Sequence, residues 1–185
     1  MSLTAPVVWF TGLSGAGKST IASAVYERLT EFGVPTEYLD GDVVRMFSPA
    51  GFTRSERDAH VRRVGFLASR LAEHGVTTIC ALISPYESSR DWVRQLCPSF
   101  LEVHVATPLQ ECERRDVKGL YAAARRGEIQ GFTGIDDPYE PPVSPELRID
   151  TTEMTVDAAV DAVLRACASV QHLSIADRAE RGSRV

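Results

Sequence analysis

The feature that most constrains the fold of this 185-residue chain is the glycine-rich segment Gly12–Ser19, which reads Gly-Leu-Ser-Gly-Ala-Gly-Lys-Ser. The apolar run Pro6–Thr11 precedes it and is typical of a strand buried on both faces. Apolar residues then recur at helical spacing over Lys18–Phe32, and Gly33 follows as a helix C-cap. A strand, a glycine-rich turn and a helix in this order are the setting in which the pattern G-x-x-x-x-G-K-[ST] binds phosphate.

This pattern predicts a nucleoside triphosphate site. The backbone N–H groups of such a loop surround the β-phosphate, Lys18 reaches toward the γ-phosphate, and the Ser19 hydroxyl can bind magnesium. We therefore expect ATP and Mg²⁺ as cofactors, with Ser19 as a metal ligand. An ordinary glycine-rich turn is the alternative, but a full match in this structural position is rarely accidental. The expected ATP-binding residues are Gly12, Leu13, Ser14, Gly15, Ala16, Gly17, Lys18, Ser19 and Thr20.

Strand-like and helix-like segments alternate along the rest of the chain. The predicted strands are Thr36–Leu39, Val76–Ile83, Phe100–Ala106 and Leu147–Asp150. The predicted helices are Ser55–His74 (with Ser55 and Asp58 near a capping-box spacing), Ser88–Leu96, Leu109–Arg126 interrupted at Gly119, and Thr155–Ala168. The alternation predicts an α/β fold in which helices cover both faces of a parallel sheet and ligands bind at the carboxyl ends of the strands. With the glycine-rich turn, this is the three-layer fold of P-loop NTPases and kinases, between which the turn alone does not decide.

The length and composition limit the classes of protein to consider. The length predicts one domain over residues 1–170, followed by a polar tail over 171–185, and segment 127–145, rich in Gly, Pro and Asp, is predicted to be a mobile lid. A net charge of −5 disfavours a nucleic-acid partner, and no apolar run approaches the length of a membrane span. The four cysteines have no metal-ligand spacing, and we expect a cytoplasmic protein without a membrane partner.

Two carboxylates and an arginine follow the second predicted strand. Asp40, Asp42 and Arg45 should lie at its carboxyl end, beside the glycine-rich turn. A carboxylate there can orient and deprotonate an attacking hydroxyl or hold magnesium through water, and Arg45 can bind an anionic group. A solvated Asp-Gly turn is the alternative. Because the third predicted strand ends without an acidic residue, magnesium binding is expected to involve Ser19, water and the two carboxylates.

Several longer stretches carry a resemblance to one family. They are Gly-Leu-Ser-Gly-Ala-Gly-Lys-Ser-Thr (12–20), Leu-Asp-Gly-Asp (39–42), Gly-Phe-Thr (51–53), Arg-Arg-Val-Gly (62–65), Ile-Ser-Pro-Tyr (83–86), Arg-Asp-Val-Lys-Gly-Leu-Tyr (115–121) and Gly-Phe-Thr-Gly-Ile-Asp (131–136). With these stretches the chain resembles the adenylylsulfate kinase (APS kinase) family from about Val7 to Ala168. The resemblance implies transfer of the ATP γ-phosphoryl group to the 3′-hydroxyl of adenosine 5′-phosphosulfate (APS), in sulfate activation.

The resemblance also implies roles for single residues. Asp42 would position the 3′-hydroxyl and take its proton, with Lys18, Asp40 and Ser84 also catalytic, and Arg115 would pack on the ATP adenine. The residues expected to bind APS are Asp42, Arg45, Phe52, Arg57, His60, Ile83, Ser84, Lys118 and Phe132, of which the two phenylalanines would enclose the adenine. For Ser84 we expect no phosphoserine intermediate, because P-loop kinases use in-line transfer.

The match departs from the family at one position. Many members carry Glu-Asn-Ile-Arg-Arg where this chain has Ala-His-Val-Arg-Arg over residues 59–63, so His60 replaces an asparagine that usually contacts the substrate. An unperturbed histidine titrates near pH 6.5, and a pH dependence of APS binding is therefore expected.

Two further functions stay open at this point. One is a P-loop kinase acting on another nucleotide or on a small hydroxyl compound, which the motifs 118–121 and 132–136 disfavour. The other is a nucleotide-dependent switch or a non-catalytic binding module, which the presence of Lys18, Ser19, Asp42 and Arg45 disfavours. The partners expected are the small molecules APS and ATP, and the resemblance adds a homodimer for which the sequence locates no interface.

Overall fold

A five-stranded parallel sheet forms the centre of the molecule in the computed structural model, which describes residues 4–47 and 51–182, with side chains up to Val170. The strands are β1 (Val7–Thr11), β2 (Thr36–Asp40), β3 (Thr77–Ala81), β4 (Phe100–Val105) and β5 (Leu147–Ile149), in the spatial order β2-β3-β1-β4-β5. The helices are α1 (Lys18–Glu31), α2 (Gly41–Phe47), α3 (Arg54–Glu73), α4 (Glu87–Leu96), α5 (Leu109–Arg115), α6 (Leu120–Arg125) and α7 (Val156–Gly182).

Helices cover both faces of the sheet, as predicted. Strand β1 is buried along its whole length, and its side chains alternate between two hydrophobic clusters. Val8 and Phe10 pack with residues of α1 and α7, whereas Val7 and Trp9 pack with residues of α3 and α4. Because both faces are buried, the strands can be continuous apolar runs, which is why the sequence of β1 shows no polar alternation.

The parallel register brings the carboxyl ends of the strands to one edge. Strand β1 lies between β3 and β4, so that Thr11, Ala81 and Val105 all end at this edge, with Asp40 beside Ala81. The glycine-rich turn follows β1 directly, and the acidic β2–α2 junction lies on the same side. The fold therefore places both halves of the predicted site at the edge where α/β proteins bind ligands.

The start of α3 differs from its predicted form. The capping box is made by Thr53 and Glu56 rather than by Ser55 and Asp58: the Thr53 hydroxyl accepts a bond from the Glu56 N–H, and the Glu56 carboxylate accepts one from the Thr53 N–H. The longer glutamate side chain reaches back to the N-cap. The Asp58 carboxylate instead accepts a bond from the Ser89 hydroxyl on α4, at 2.6 Å.

Other helix boundaries also differ from those expected. The short helix α2 was not predicted, because seven residues are too few to show a clear period. The interrupted helix is two helices, α5 and α6, separated by residues 116–119. Helix α7 continues past its predicted end at Ala168 and ends at Gly182, the first glycine after Ala168. Residues 171–182 of the predicted polar tail are therefore helical, and residues 183–185 lie outside the described residues. None of the described helices is long and apolar enough to cross a bilayer.

Helices α3 and α4 approach closely at Gly65. A Cβ atom at this position would lie 2.4 Å from Cγ2 and 2.9 Å from Cγ1 of the buried Val93 side chain. No real Cβ contact is this short, so any side chain here would force the helices apart or Val93 out of its rotamer.

We expect Gly65→Ala to destabilise the protein. Overpacking a core usually costs about 1–3 kcal/mol, and the better helix propensity of alanine returns about 1 kcal/mol. Because a 2.4 Å contact with a fully buried side chain should cost the upper part of that range, the predicted net loss is about 1–2 kcal/mol, and the Tm measured by calorimetry should fall by about 2–8 °C. The double variant Gly65→Ala/Val93→Ala is the control, because it removes the clashing methyl groups; a single variant as stable as wild type would contradict this account of the packing.

Candidate active site

A cavity of about 490 Å³ opens at the carboxyl edge of the sheet. Its lining comes from the glycine-rich turn, the β2–α2 junction, α3, the segment after β3, residues 116–121 and residues 132–133. The last two residues belong to residues 127–145, which are called the lid segment below. The expected site residues that line it are Ser14, Gly15, Gly17, Lys18, Ser19, Thr20, Asp40, Asp42, Arg45, Phe52, Arg57, His60, Ile83, Ser84, Lys118 and Phe132.

The glycine-rich turn is held from behind by hydroxyl groups. The Ala16 carbonyl accepts bonds from Thr107 Oγ1 at 3.0 Å and Thr151 Oγ1 at 2.9 Å, and the Ser14 carbonyl accepts one from the Tyr121 hydroxyl at 2.9 Å. Gly12 has a φ of 148°, and a Cβ there would lie 2.4 Å from the Val105 carbonyl oxygen. Gly12, Leu13 and Ala16 do not line the cavity. They shape the turn, and the carbonyls of Leu13 and Ala16 are used inside the protein, by Lys18 and by the two threonine hydroxyls.

Lys18 is buried at the first turn of α1. Its ammonium donates to the Leu13 carbonyl at 2.7 Å, and burial lowers its pKa to about 8, while the nearby Asp42 and Asp40 carboxylates oppose this shift. An anionic triphosphate in the turn would stabilise the charged form and offer acceptors in place of one neutral carbonyl. The position is therefore prepared for phosphate.

The Asp40 carboxylate lies beside the Ser19 hydroxyl. Asp40 Oδ2 accepts bonds from Ser19 Oγ and from the Tyr38 hydroxyl, each at 3.0 Å, and Oδ1 accepts the Asp42 N–H at 2.8 Å. The oxygens of Ser19 and Asp40 are hard ligands of the kind that magnesium prefers, and magnesium in kinases is bound by few protein groups because phosphates and water complete its shell. Among the described residues no group of three or more acidic, His or Cys side chains could hold a metal alone. The donor set fits a metal shared with a nucleotide.

Asp42 and Lys118 form an ion pair across the mouth of the cavity. Lys118 Nζ lies 2.6 Å from Asp42 Oδ2, and both side chains are largely exposed. The hydrogen bond from Lys118 is the largest cause that lowers the pKa of Asp42, so the carboxylate is charged at neutral pH. An exposed pair of this kind contributes little to stability and can be opened by a ligand.

Arg45, Phe52 and Arg57 form one wall of the cavity. The guanidinium carbons of Arg45 and Arg57 lie 5.1 Å and 5.7 Å from the centre of the Phe52 ring, which is 65% exposed. Phe52 is thus an exposed aromatic face held by two cations rather than a core residue.

The Arg57 side chain is buried and bonds mainly to backbone. It donates to the Phe52 carbonyl at 2.7 Å, to the Gly131 carbonyl and to the Thr133 hydroxyl, and it lies 3.9 Å from the Asp137 carboxylate. These contacts fasten the lid segment to α3. Arg57 lines the cavity as expected, but most of its donors are used to build the wall.

Phe132 comes from the lid segment and is nine-tenths buried. Its ring packs edge-on against Tyr121, with ring centres 5.0 Å apart. The Asp136 carboxylate accepts bonds from the backbone N–H groups of Gly131 and Phe132, which closes a tight turn around the ring. The mobility expected of this segment stays a prediction.

The hydroxyl of Ser84 points into the protein and away from the cavity. Ser84 is 2% exposed, its Oγ accepts a bond from the Trp9 indole N–H at 3.1 Å, and it donates to Thr11 Oγ1 at 2.9 Å. Its φ is 39°, in the left-handed region that a serine rarely adopts. No carboxylate or histidine contacts this hydroxyl among the described residues, so no base is in place there to activate it. The absence of a phosphoserine intermediate stays a prediction. The backbone of Ile83 and Ser84 lines the cavity.

His60 is buried on α3 beneath the cavity. It is 3% exposed, and neither ring nitrogen has a well-formed hydrogen bond within the described part of the chain. Burial, and then the charges of Arg45 and Arg63, lower its pKa to about 4, against weaker opposing effects of the Gly41 backbone and Asp42. The ring is therefore neutral at physiological pH, and the pH dependence expected near pH 6.5 is not supported.

Arg115 does not line the cavity. Its guanidinium donates to Thr151 Oγ1 and to the Thr151 carbonyl, each at 2.8 Å, and to Glu111 at 2.8 Å. It braces the loop after β5 against the glycine-rich turn. Packing on the ATP adenine stays a prediction.

Three residues of the site were not singled out from the sequence. Tyr121 and Thr133 line the cavity, and Asp137 holds Arg57. All three lie in or beside family-like stretches, but their roles depend on contacts with α3 and the glycine-rich turn that no local spacing reveals. The cavity lining contains four cations (Lys18, Arg45, Arg57 and Lys118) and three carboxylates (Asp40, Asp42 and Asp116), so it is locally cationic in a chain of net charge −5.

Comparison with known proteins agrees with this geometry. The family model of adenylylsulphate kinase matches residues 4–150. An adenylyl-sulfate kinase of Synechococcus sp. (strain JA-2-3B'a(2-13)) is 49% identical over 171 residues, which cover 91% of this chain and 98% of the relative. One from Chloroflexus aurantiacus is 52% identical over 162 residues, covering 86% and 87%.

A solved structure of an APS kinase is also similar to this chain along most of its length. The Mycobacterium tuberculosis APS kinase CysC, in complex with AMPPNP and APS, superposes with a TM-score of 0.85 at 41% identity, over 89% of this chain and 98% of that one. A sugar kinase from Janibacter sp. HTCC2649, at 21% identity and a TM-score of 0.61, shares the fold alone. The chain belongs to the adenylyl-sulfate kinase family.

Proposed function

We propose that the protein transfers the γ-phosphoryl group of ATP to the 3′-hydroxyl of APS, giving 3′-phosphoadenosine 5′-phosphosulfate (PAPS) and ADP. The observation that carries the proposal is the single cavity in which the phosphate-binding turn meets a cationic wall with two aromatic rings, Phe52 and Phe132. The related M. tuberculosis kinase was solved with an ATP analogue and APS, which is the ligand pair that this cavity would take.

In this reaction the 3′-oxygen attacks the γ-phosphorus and the bond to the β–γ bridging oxygen breaks. The backbone N–H groups of the turn and Lys18 would hold the charge on the transferred group and on the leaving ADP. Such transfers depend on positioning and electrostatic stabilisation more than on covalent chemistry. Magnesium, which Ser19 and Asp40 could help to bind, would neutralise phosphate charge when present.

Asp42 would orient the attacking hydroxyl and receive its proton. Its lowered pKa makes it a weak base, but in a loose transition state the proton leaves late, so a charged acceptor in the right place is sufficient. Arrival of the substrate would open the Asp42–Lys118 pair and free Lys118 for an anionic group of APS.

Aromatic rings and cationic side chains of the cavity would recognise the acceptor APS. Phe52, exposed and backed by two guanidinium groups, and Phe132, fixed by Tyr121, would contact the adenine. Arg45, Arg57 and Lys118 would balance the phosphosulfate. A cytoplasmic location and a homodimer stay predictions; one relative, the APS kinase from Thiobacillus denitrificans, is described as hexameric.

The proposed reaction is tested by incubating the protein with ATP, magnesium and APS and measuring PAPS and ADP together. We expect equal amounts of both, and no transfer to AMP. Asp42→Asn should lower kcat by about a hundredfold or more, because removal of a positioned proton acceptor typically costs 10²–10⁴. Asp161→Asn, on the exposed face of α7, is the control. ATP consumption without PAPS would favour a kinase with another acceptor, and binding without turnover would favour a binding module.

Ser84→Ala distinguishes a positioning role from a covalent one. We expect kcat to fall by less than about a hundredfold, with protein less stable by about 1–3 kcal/mol, because the Trp9 N–H loses its acceptor. A covalent nucleophile would lose nearly all activity on this change. Acid-quenched protein after incubation with γ-labelled ATP should carry no label, and label on Ser84 would refute this account.

His60→Asn tests the pKa of about 4. The KM for APS should show parallel pH profiles for wild type and variant between pH 6 and 8, because the ring is already neutral there. Since the folded pKa is below the unfolded value near 6.5, the stability due to His60 is complete above pH 6.5 and is lost as the pH falls toward 4. Between pH 7 and 4.5 the wild type should lose about 2 kcal/mol more than the variant, measured by urea unfolding. Converging KM profiles would refute the neutral ring.

A further inference from the structure

We propose that Arg90 is a positioning residue that ties the end of the lid segment to the backbone wall of the acceptor cavity. Arg90 lies in α4 and does not line the cavity. Its side chain bonds at once to Ser84, in the wall, and to Glu140, in the lid segment. The proposal rests on the proposed function, because its kinetic consequence concerns the acceptor APS.

The Ser84 backbone needs to be held in place. A serine with a φ of 39° is in a costly conformation, which persists only where its surroundings determine it. The hydroxyl is fixed by Trp9 and Thr11, and the carbonyl accepts a bond from Arg90 Nη1 at 2.7 Å. Of these three partners, Arg90 alone lies outside strand β1. It makes the shorter of the two bonds to the Ser84 carbonyl, since Thr11 Oγ1 lies 3.5 Å from the same oxygen.

Arg90 is one of the most deeply buried charges of the described chain. It is 2% exposed, and its three guanidinium nitrogens have three different acceptors: Nε bonds to Glu102 Oε1 at 2.9 Å, Nη1 to the Ser84 carbonyl, and Nη2 to the Glu140 carbonyl at 2.7 Å. Glu102 is 5% exposed on β4 and balances the charge. Only a planar guanidinium can hold three acceptors in fixed directions, which lysine cannot do.

The two segments joined by Arg90 are also bonded to each other. The Glu140 N–H donates to the Pro85 carbonyl at 2.8 Å, and the Glu140 carboxylate accepts the Glu87 N–H at the start of α4, at 2.7 Å. Tyr139 contacts Thr11 through their hydroxyl groups, at 3.0 Å. A displacement of the lid segment at 139–140 would therefore move residues 84–85 with it.

This arrangement predicts a selective effect on the acceptor. Residues 83–85 and the lid residues 132–133 line the cavity together, so loosening Arg90 would alter the acceptor space at both places. The phosphate-binding turn is braced separately by Thr107, Thr151 and Tyr121. Loss of the Arg90 contacts should therefore weaken use of APS much more than use of ATP.

Arg94 provides a matched control. It lies one turn further along α4, and its Nη2 bonds to the other oxygen of Glu102 at 3.0 Å. Its remaining bonds go to Glu146, and it contacts neither Ser84 nor Glu140 in the part of the chain that the structure describes. Glu102 keeps one arginine when either residue is changed, so each substitution removes one hydrogen bond from the same buried carboxylate. The two arginines differ in their backbone contacts and in burial, since the side chain of Arg90 is 2% exposed and that of Arg94 is 34% exposed.

The experiment compares Arg90→Lys with Arg94→Lys in two measurements. Hydrogen exchange of the free protein needs no substrate, and we expect faster exchange of the amides at 83–84 and 127–140 in Arg90→Lys alone. In turnover, kcat/KM for APS should fall about ten- to hundredfold in Arg90→Lys, since misplacement by about 1 Å can cost 10²-fold. The KM for ATP should change less than about threefold, and Arg94→Lys should keep both constants near wild type.

Other outcomes would contradict either the positioning role of Arg90 or the proposed function. The positioning role would be overturned if both variants lost the same stability while their kinetic constants stayed unchanged. It would also be overturned if Arg90→Lys weakened the use of ATP as much as the use of APS. If Arg90→Lys does not fold, Arg90→Gln and Arg94→Gln replace the pair, and failure of both Arg90 variants beside folded Arg94 variants would assign Arg90 to stability alone. Lack of PAPS formation by wild type would instead refute the proposed function, while the exchange measurement would still test the link between the segments.

Discussion

The acceptor half of the cavity depends on buried guanidinium groups that bind backbone carbonyls. Arg57 holds the carbonyls of Phe52 and Gly131, and Arg90 holds those of Ser84 and Glu140. Burying these charges costs desolvation free energy, which is offset because each guanidinium has a carboxylate nearby and makes several directed hydrogen bonds. Irregular backbone that no sheet or helix would hold is thereby fixed around an open cavity.

The two halves of the site are therefore held in different ways. The phosphate-binding turn is formed by consecutive residues and braced by hydroxyl groups, so its geometry follows from one short stretch of sequence. The acceptor wall is assembled from α3, the segment after β3 and the lid segment, through contacts between residues more than 70 positions apart, such as Arg57 with Gly131. Substitutions there should alter stability and substrate use together, because the same side chains do both.

This difference explains what could be predicted from the sequence. The buried strand β1, the turn and α1 were predicted correctly, because the apolar periodicity and the pattern G-x-x-x-x-G-K-[ST] are properties of consecutive residues. The capping box at Thr53 was missed although Thr-Arg-Ser-Glu over residues 53–56 fits the capping-box pattern, and the helix α2 was missed because seven residues show no clear period. His60 was placed in the cavity correctly, but its pKa depends on burial and on Arg45 and Arg63, which only the folded structure brings near it.

Two cations of the cavity, Lys18 and Lys118, already have hydrogen-bond partners, which bound substrates would replace. Lys18 bonds to the Leu13 carbonyl and Lys118 to the Asp42 carboxylate, and each partner is one that a phosphate or a hydroxyl could displace. The ammonium of Lys18 is costly to keep charged while buried, as its lowered pKa shows, and an anion would remove that cost. Because Lys118 is exposed and held to Asp42 by a pair that contributes little to stability, an anionic group of the acceptor could draw Lys118 away, and in the proposed reaction this would free the Asp42 carboxylate to receive the proton.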